Sequence, residues 1–88
     1  MSLLEKAIDF LQGRSTDVEI GIVVFPSQIR KDAFVRELYH AIQDMQLTVK
    51  TRDRCKVGYF SLYFILDTES SYRVLPGLRI SKVLNLYD

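Results

Sequence analysis

At 88 residues the chain has room for one hydrophobic core and no second one. Its 48% hydrophobic content excludes a disordered chain, and a net charge of +1 excludes a strong whole-molecule field toward any partner. One cysteine, Cys55, and one histidine, His40, exclude an internal disulfide and the usual zinc sites. A chain this short buries only roughly 60–65% of its unfolded surface, so self-association is an expected source of further burial. The charges are unevenly placed. Residues 28–56 carry seven cations (Arg30, Lys31, Arg36, Lys50, Arg52, Arg54, Lys56) against four acids.

Ser2 and Glu5 form a capping box, and Leu4, Ile8 and Leu11 recur at helical spacing. A helix over about 3–12 follows, with Gly13 as its stop. Residues 17–25 read as a strand. Ile20 to Phe25 is apolar throughout, the pattern of a strand covered on both faces, and Gly21 marks a close backbone approach. Pro26 ends it and Ser27 caps the next helix. There Phe34, Leu38, Ala41, Ile42 and Met45 share one face, giving a helix over 28–45.

Residues 47–52 alternate, with Leu47, Val49 and Thr51 on one face and Thr48, Lys50 and Arg52 on the other. Arg52 to Arg54 is a turn, and Val57 to Leu66 is a long aromatic strand paired antiparallel with 47–52. A short strand over 72–75, a turn at Pro76 and Gly77, and a last strand over 80–87 complete the chain. The fold class is α/β, a single small domain over 1–88. Its order is α-β-α-β-β-β, a mixed sheet with two helices. The alternative is a ferredoxin-like α+β sandwich, whose β-α-β-β-α-β order fits less well.

Several residue groups are candidates for chemistry or binding. Lys50, Arg52, Arg54 and Lys56 are spaced by two, so on a continuous strand they form one cationic stripe suited to phosphates. The same residues also serve as a solubilising edge. Arg30 and Lys31 oppose the dipole at a helix start, a misfit that anion binding resolves and ordinary solvation also tolerates. Tyr59, Phe60, Tyr63 and Phe64 are candidates for an interface, a core or a base-stacking platform. His40 has no nameable partner for general-base work. Cys55 sits among cations, which lower a thiol pKa, yet no histidine is adjacent in the sequence. Asp67 and Glu69 form a D-x-E without the further carboxylates of a metal nuclease.

Leu3 to Arg14, Glu19 to Pro26, Thr51 to Leu66, Ser70 to Arg79 and Ile80 to Asp88 together resemble part of the ATPase core of viral DNA-packaging motors (terminase large subunits) and related helicases. In that resemblance they correspond to the helix after the phosphate loop, an apolar strand closed by proline, a hairpin, an Arg/Gly turn and the closing strand. The departures matter more. No G-x-x-x-x-G-K-[ST] sequence is present to cradle phosphates. Asp88 lacks the acidic neighbour that would follow the magnesium-binding carboxylate, and a lone carboxylate holds Mg²⁺ weakly.

The resemblance therefore implies a shell of a motor domain, viral or carried by a mobile element, without ATP hydrolysis. The first expectation is a non-enzymatic module that binds a protein or a second copy of itself, regulating a larger machine such as a packaging motor. The alternative is a nucleic-acid-binding module using Arg30, Lys31, Lys50, Arg52, Arg54 and Lys56. No cofactor and no membrane association are expected. No apolar run approaches the ~20 residues of a membrane span. The opening residues carry an acid where a secretory leader carries bases. A cytoplasmic location, that of the host if viral, is the corresponding expectation.

Overall fold

A computed structural model describes residues 1–69 and 82–85. Helix α1 spans Leu3–Leu11. The Ser2 hydroxyl accepts from the Glu5 N–H at 3.1 Å, and the Glu5 carboxylate accepts from the Ser2 N–H at 3.1 Å. These bonds to Ser2 hold the Glu5 carboxyl below its ordinary value. Strand β1 is Glu19–Phe25, helix α2 is Gln28–Ala41 with Ser27 as its cap, and β2 is Leu47–Lys50. Then follow β3 (Arg54–Val57), β4 (Phe60–Leu66), a 3-10 turn (Asp67–Glu69) and β5 (Lys82–Asn85). The expected strand over 72–75, the Pro76–Gly77 turn and Asp88 lie outside the described residues.

The sheet order is β2-β3-β4-β1-β5. Strand β1 runs parallel to β4 and β5, while β2/β3 and β3/β4 are antiparallel. The architecture is the small α/β domain with a mixed sheet and two helices that the sequence pattern predicts. Among the described residues one strand, β3, stands where the pattern gave none. Residues 54–57 form their own strand because Gly58, at φ +58°, turns the chain before Phe60. The aromatic strand thus starts at Phe60, not Val57, and residues 47–50 pair with β3 rather than with it. Helix α2 stops at Ala41, which is exposed, and a turn carries Met45 back toward the core (Met45 N–H to Ile42 C=O, 2.9 Å).

Alternation sorts the sheet into two faces. One carries Val23 and Phe25 from β1, Phe60, Leu62 and Phe64 from β4, and Cys55 from β3, in one buried cluster with Ala7, Leu11, Phe34, Val35, Leu38 and Ile42 of the helical segments. Each fully buried valine, leucine, isoleucine or phenylalanine among them contributes about 1.5–3 kcal/mol by leaving water. Phe25 and Phe34 meet at 5.1 Å between ring centroids and Phe34 and Phe64 at 6.2 Å, clamping α2 to β1 and β4. Gly21 lets α1 lie on the sheet: a Cβ there would sit 2.9 Å from both Phe10 and Leu62. Gly13 is not a left-handed helix stop, since among the described residues only Gly58 has positive φ. Its bareness instead admits the Phe60 ring, 2.7 Å from where a Cβ would stand.

The reverse face carries Ile20, Ile22, Ser61 and Ile65, all buried, together with Tyr63, Arg54 and Lys56, which are half-buried. Cross-strand pairing sets Arg54 beside Tyr63 and Lys56 beside Ser61.

Candidate functional site

Asp32, Val35, Arg36 and Tyr39 recur at i, i+3, i+4 and i+7, which places them along one side of α2. That side faces Lys50, Thr51 and Arg52 at the end of β2. The seven residues line an open groove of about 520 Å³.

The turn at residues 51–53 is fastened to α2 by side chains. The Tyr39 hydroxyl lies 2.7 Å from the Thr51 carbonyl and 2.9 Å from the Arg54 carbonyl. A phenol has one proton to donate, so the two acceptors share it. Burial is the main force pushing the Tyr39 phenol up to about 12, with neighbouring Cys55 adding to it. Lys31, only 4% exposed, sends its ammonium to the Asp53 carboxylate, whose side chain is 75% exposed. Within the turn, the Thr51 hydroxyl accepts from the Arg54 N–H at 3.0 Å. The Phe64 N–H donates to the Asp53 carbonyl at 2.9 Å, tying the turn to β4 as well.

This fastened turn presents cations. Arg36, Lys50 and Arg52 are all exposed. The Lys50 ammonium stands 5.3 Å from the Tyr39 ring centroid, a cation–π contact that limits the wandering of a flexible side chain. One carboxylate, Asp32, lies among them. Gln28 Nε2 donates to it at 2.8 Å, and Arg52 Nη2 approaches it at 3.9 Å. The second contact joins two well-exposed side chains and is worth little. Among the described residues, three exposed cations against one carboxylate give the groove a surplus of positive charge, and the Tyr39 and Thr51 hydroxyls of its lining are spent on backbone carbonyls.

The expected stripe of Lys50, Arg52, Arg54 and Lys56 is divided by the fold. A β-bulge between Leu47 and Val49 shifts the β2 register. Such a shift reverses the faces of the side chains beyond it. Leu47 packs on the helix-side core and Lys50 pairs with buried Cys55, so Lys50 joins α2's side. Arg52 stands on the turn. Arg54 and Lys56 keep their common face, the reverse one. There Arg54 Nη2 donates to Ser61 Oγ at 3.1 Å, and its guanidinium lies 5.2 Å from the Tyr63 centroid.

Of the two cations at the start of α2, Lys31 is buried on Asp53 and thus unavailable to an external anion. Arg30 is exposed but does not line the groove. The Arg30 N–H is capped by the Ser27 hydroxyl at 3.3 Å. Phe60 and Phe64, offered as interface residues, are core, with 9% and 1% exposure. Tyr59 stands half-exposed on the turn after β3, and Tyr63 is half-buried beneath Arg54. Arg36 was missed by the sequence reasoning; its only signal was helical spacing from Asp32 and Tyr39.

Cys55 is a buried strand residue whose thiol is pushed up to about 12 by burial, against the lowering expected from its cationic neighbours. His40 is exposed in the last turn of α2 and Asp67 is exposed at the end of β4. Among the described residues no three His, Cys, Asp or Glu side chains converge, and no helix is long and apolar enough to cross a membrane. A second open hollow, about 680 Å³, lies at the opposite end of β3 between residues 13–16 and the 58–59 turn, with Arg14 in its lining.

Comparison of the chain with protein-family models, with curated proteins and with solved structures finds no match. The functional reading rests on the geometry of the groove.

Proposed function

We propose that the domain is a non-enzymatic binding module whose ligand is the phosphate backbone of a nucleic acid. The observation that carries this reading is the groove itself. Arg36, Lys50 and Arg52 converge there from two elements that Tyr39 and Lys31 lock together, with Asp32 as the single opposing charge among the described residues. Cations held by a rigid frame lose less freedom on binding than cations on a loose loop. Arginine forks match phosphate oxygens, and backbone neutralisation supplies sequence-independent affinity. A buried, protonated thiol at Cys55 favours binding over catalysis as the role of this surface.

The first expectation, a protein partner or a second copy acting on a larger viral machine, now rests on less, since Phe60 and Phe64 are in the core. It becomes an outcome of the test. The test is fluorescence anisotropy of a labelled oligonucleotide titrated with the protein at low salt. Light scattering on the same sample reports the oligomeric state, and polyglutamate serves as competitor. Binding in the range of about 10⁻⁴–10⁻⁶ M, weakening with salt and abolished by combined Arg36→Glu and Arg52→Glu, is expected. A folded protein that ignores the oligonucleotide, or that prefers polyglutamate, overturns the reading in favour of a protein partner.

A further inference from the structure

The cations left out of the groove are the starting point. Arg54 and Lys56 sit two residues apart on one face of β3, which sets them about 7 Å apart along the strand. That face is the reverse of the one bearing Lys50. Arg52, whose side chain is 81% exposed, stands at the turn between the two faces. The cationic series therefore passes from α2's side, around the hairpin end, to the back of the sheet.

Only four residues make up β2. Thr48, Lys50, Thr51, Arg52 and Asp53 are all exposed, so the hairpin margin can be reached by a ligand that passes from one face to the other. On the reverse side the guanidinium of Arg54 is held by Ser61 Oγ and by the Tyr63 ring, so it is a positioned group rather than a free one. Arginine planes and tyrosine rings are also the surfaces on which unpaired bases stack.

We propose that Arg36, Lys50, Arg52, Arg54 and Lys56 form one continuous track, and that the ligand is single-stranded nucleic acid rounding the 51–53 turn. The proposal rests on the phosphate-binding reading of the groove and specifies its substrate. The reason is mechanical. Duplex DNA has a persistence length of about 500 Å and bends sharply only at a cost of several kcal/mol. A two-stranded hairpin margin is far too tight a radius for it. A duplex reaches the groove or the reverse face but not both, whereas a single strand reaches all five cations.

The test uses the full chain, a labelled oligonucleotide of about 16 nucleotides, and the same sequence as a duplex. Affinities are measured over a range of salt. Single-strand binding at least about tenfold tighter than duplex binding is expected. Its log–log salt slope should lie near about 3.5, from roughly 0.7 per phosphate contact for five contacts, against about 2 for the three groove cations alone. Lys56→Gln should lower the slope by about 0.7 and weaken single-strand binding while leaving the duplex untouched. Arg14→Gln, an equal charge change at the far end of β3, should alter neither. Thermal melts show that each variant is folded.

If duplex and single strand bind alike, or if Lys56→Gln behaves as Arg14→Gln does, the track is wrong and the groove reading survives. If the folded protein binds neither oligonucleotide, the groove reading fails and the track with it.

Discussion

The two turns that bound β3 are built in opposite ways. At residues 51–53 the backbone is held from outside: Tyr39 supplies a hydroxyl to two of its carbonyls, Lys31 pairs with Asp53, and Lys50 rests over the Tyr39 ring. At residues 58–59 no side chain plays that part among the described residues; the Tyr59 carbonyl accepts one backbone bond, from the Glu19 N–H at 2.9 Å. Gly58 takes φ +58° with open space around it, and Tyr59 is 50% exposed. One turn is specified by side chains from α2, the other by a left-handed glycine and one backbone bond to β1. The cations gather at the fastened turn. Holding long, charged side chains near one another is unfavourable in an isolated hairpin, and the ties to α2 offset that repulsion.

Removing the fastening should produce the largest effect. Tyr39→Ala deletes a ring packed edge-on to Phe64 at 6.4 Å between centroids, the platform under Lys50, and the donor to both carbonyls. A loss of about 3–5 kcal/mol is expected from large-to-small substitution combined with unsatisfied backbone acceptors. Denaturant titration measures it. Tyr39→Phe, which keeps the ring, should cost only about 1–2 kcal/mol. Equal losses for the two variants would show that the hydroxyl, not the ring, carries the turn.

Alkaline pH loosens the same end of the molecule. The Cys55 thiol ordinarily titrates near 9.0 and is pushed up to about 12 by burial, and Tyr39 rises from 10.0 to about 12. Both are acids whose neutral form the fold favours. Below pH 9 the stabilisation is fully present. Between 9 and 12 the unfolded chain releases protons that the folded chain keeps, so stability falls. For Cys55 the slope approaches about 1.4 kcal/mol per pH unit. Unfolding free energies at pH 8 and 11 should differ markedly in the wild type and less in Cys55→Ala. An identical pH dependence in both would remove Cys55 from the account.

Gly58→Ala probes the turn that depends on a left-handed glycine. A Cβ meets nothing within 4 Å, so only the left-handed backbone opposes it. About 1 kcal/mol is expected, or a melting point lower by about 4–8 °C, with oligonucleotide binding unchanged. A change in binding would show that the two turns communicate through β3, contrary to the contrast drawn between them.

The contrast also explains what was legible in the sequence. Both helices, the apolar strand at 19–25 and the fold class follow from periodicity and caps, which are local signals. The fastened turn is not local. Lys31 reads as a surface cation at a helix start because its partner, Asp53, lies 22 residues away. The bulge after Leu47 leaves no mark in the alternation of residues 47–52, yet it moves Lys50 to the opposite face and divides the stripe. Phe60 and Phe64 share β4 with Tyr63 and directly follow Tyr59, and only the packing of α1 and α2 on one face separates core from surface. Arg36 acquires its role from residues 14 and 16 positions further along the chain.

The smallest effect tests the electrostatics most directly. Asp32 is the one carboxylate of the groove among the described residues, and Gln28 holds it at 2.8 Å while Arg52 stands 3.9 Å away. Replacing it by Asn keeps the size and an acceptor for Gln28 but removes one opposing charge. An exposed charge contributes at most about 1 kcal/mol, so Asp32→Asn should tighten phosphate-backbone binding by no more than about fivefold. The gain should shrink as salt rises and the Debye length falls below roughly 10 Å. Asp44→Asn, an exposed acid beyond the far end of α2, makes the same change in net charge and should leave the affinity alone. If both substitutions tighten binding equally, the protein attracts polyanions by its overall charge. If only Asp32→Asn does, the attraction comes from the groove that the fastened turn and α2 build together.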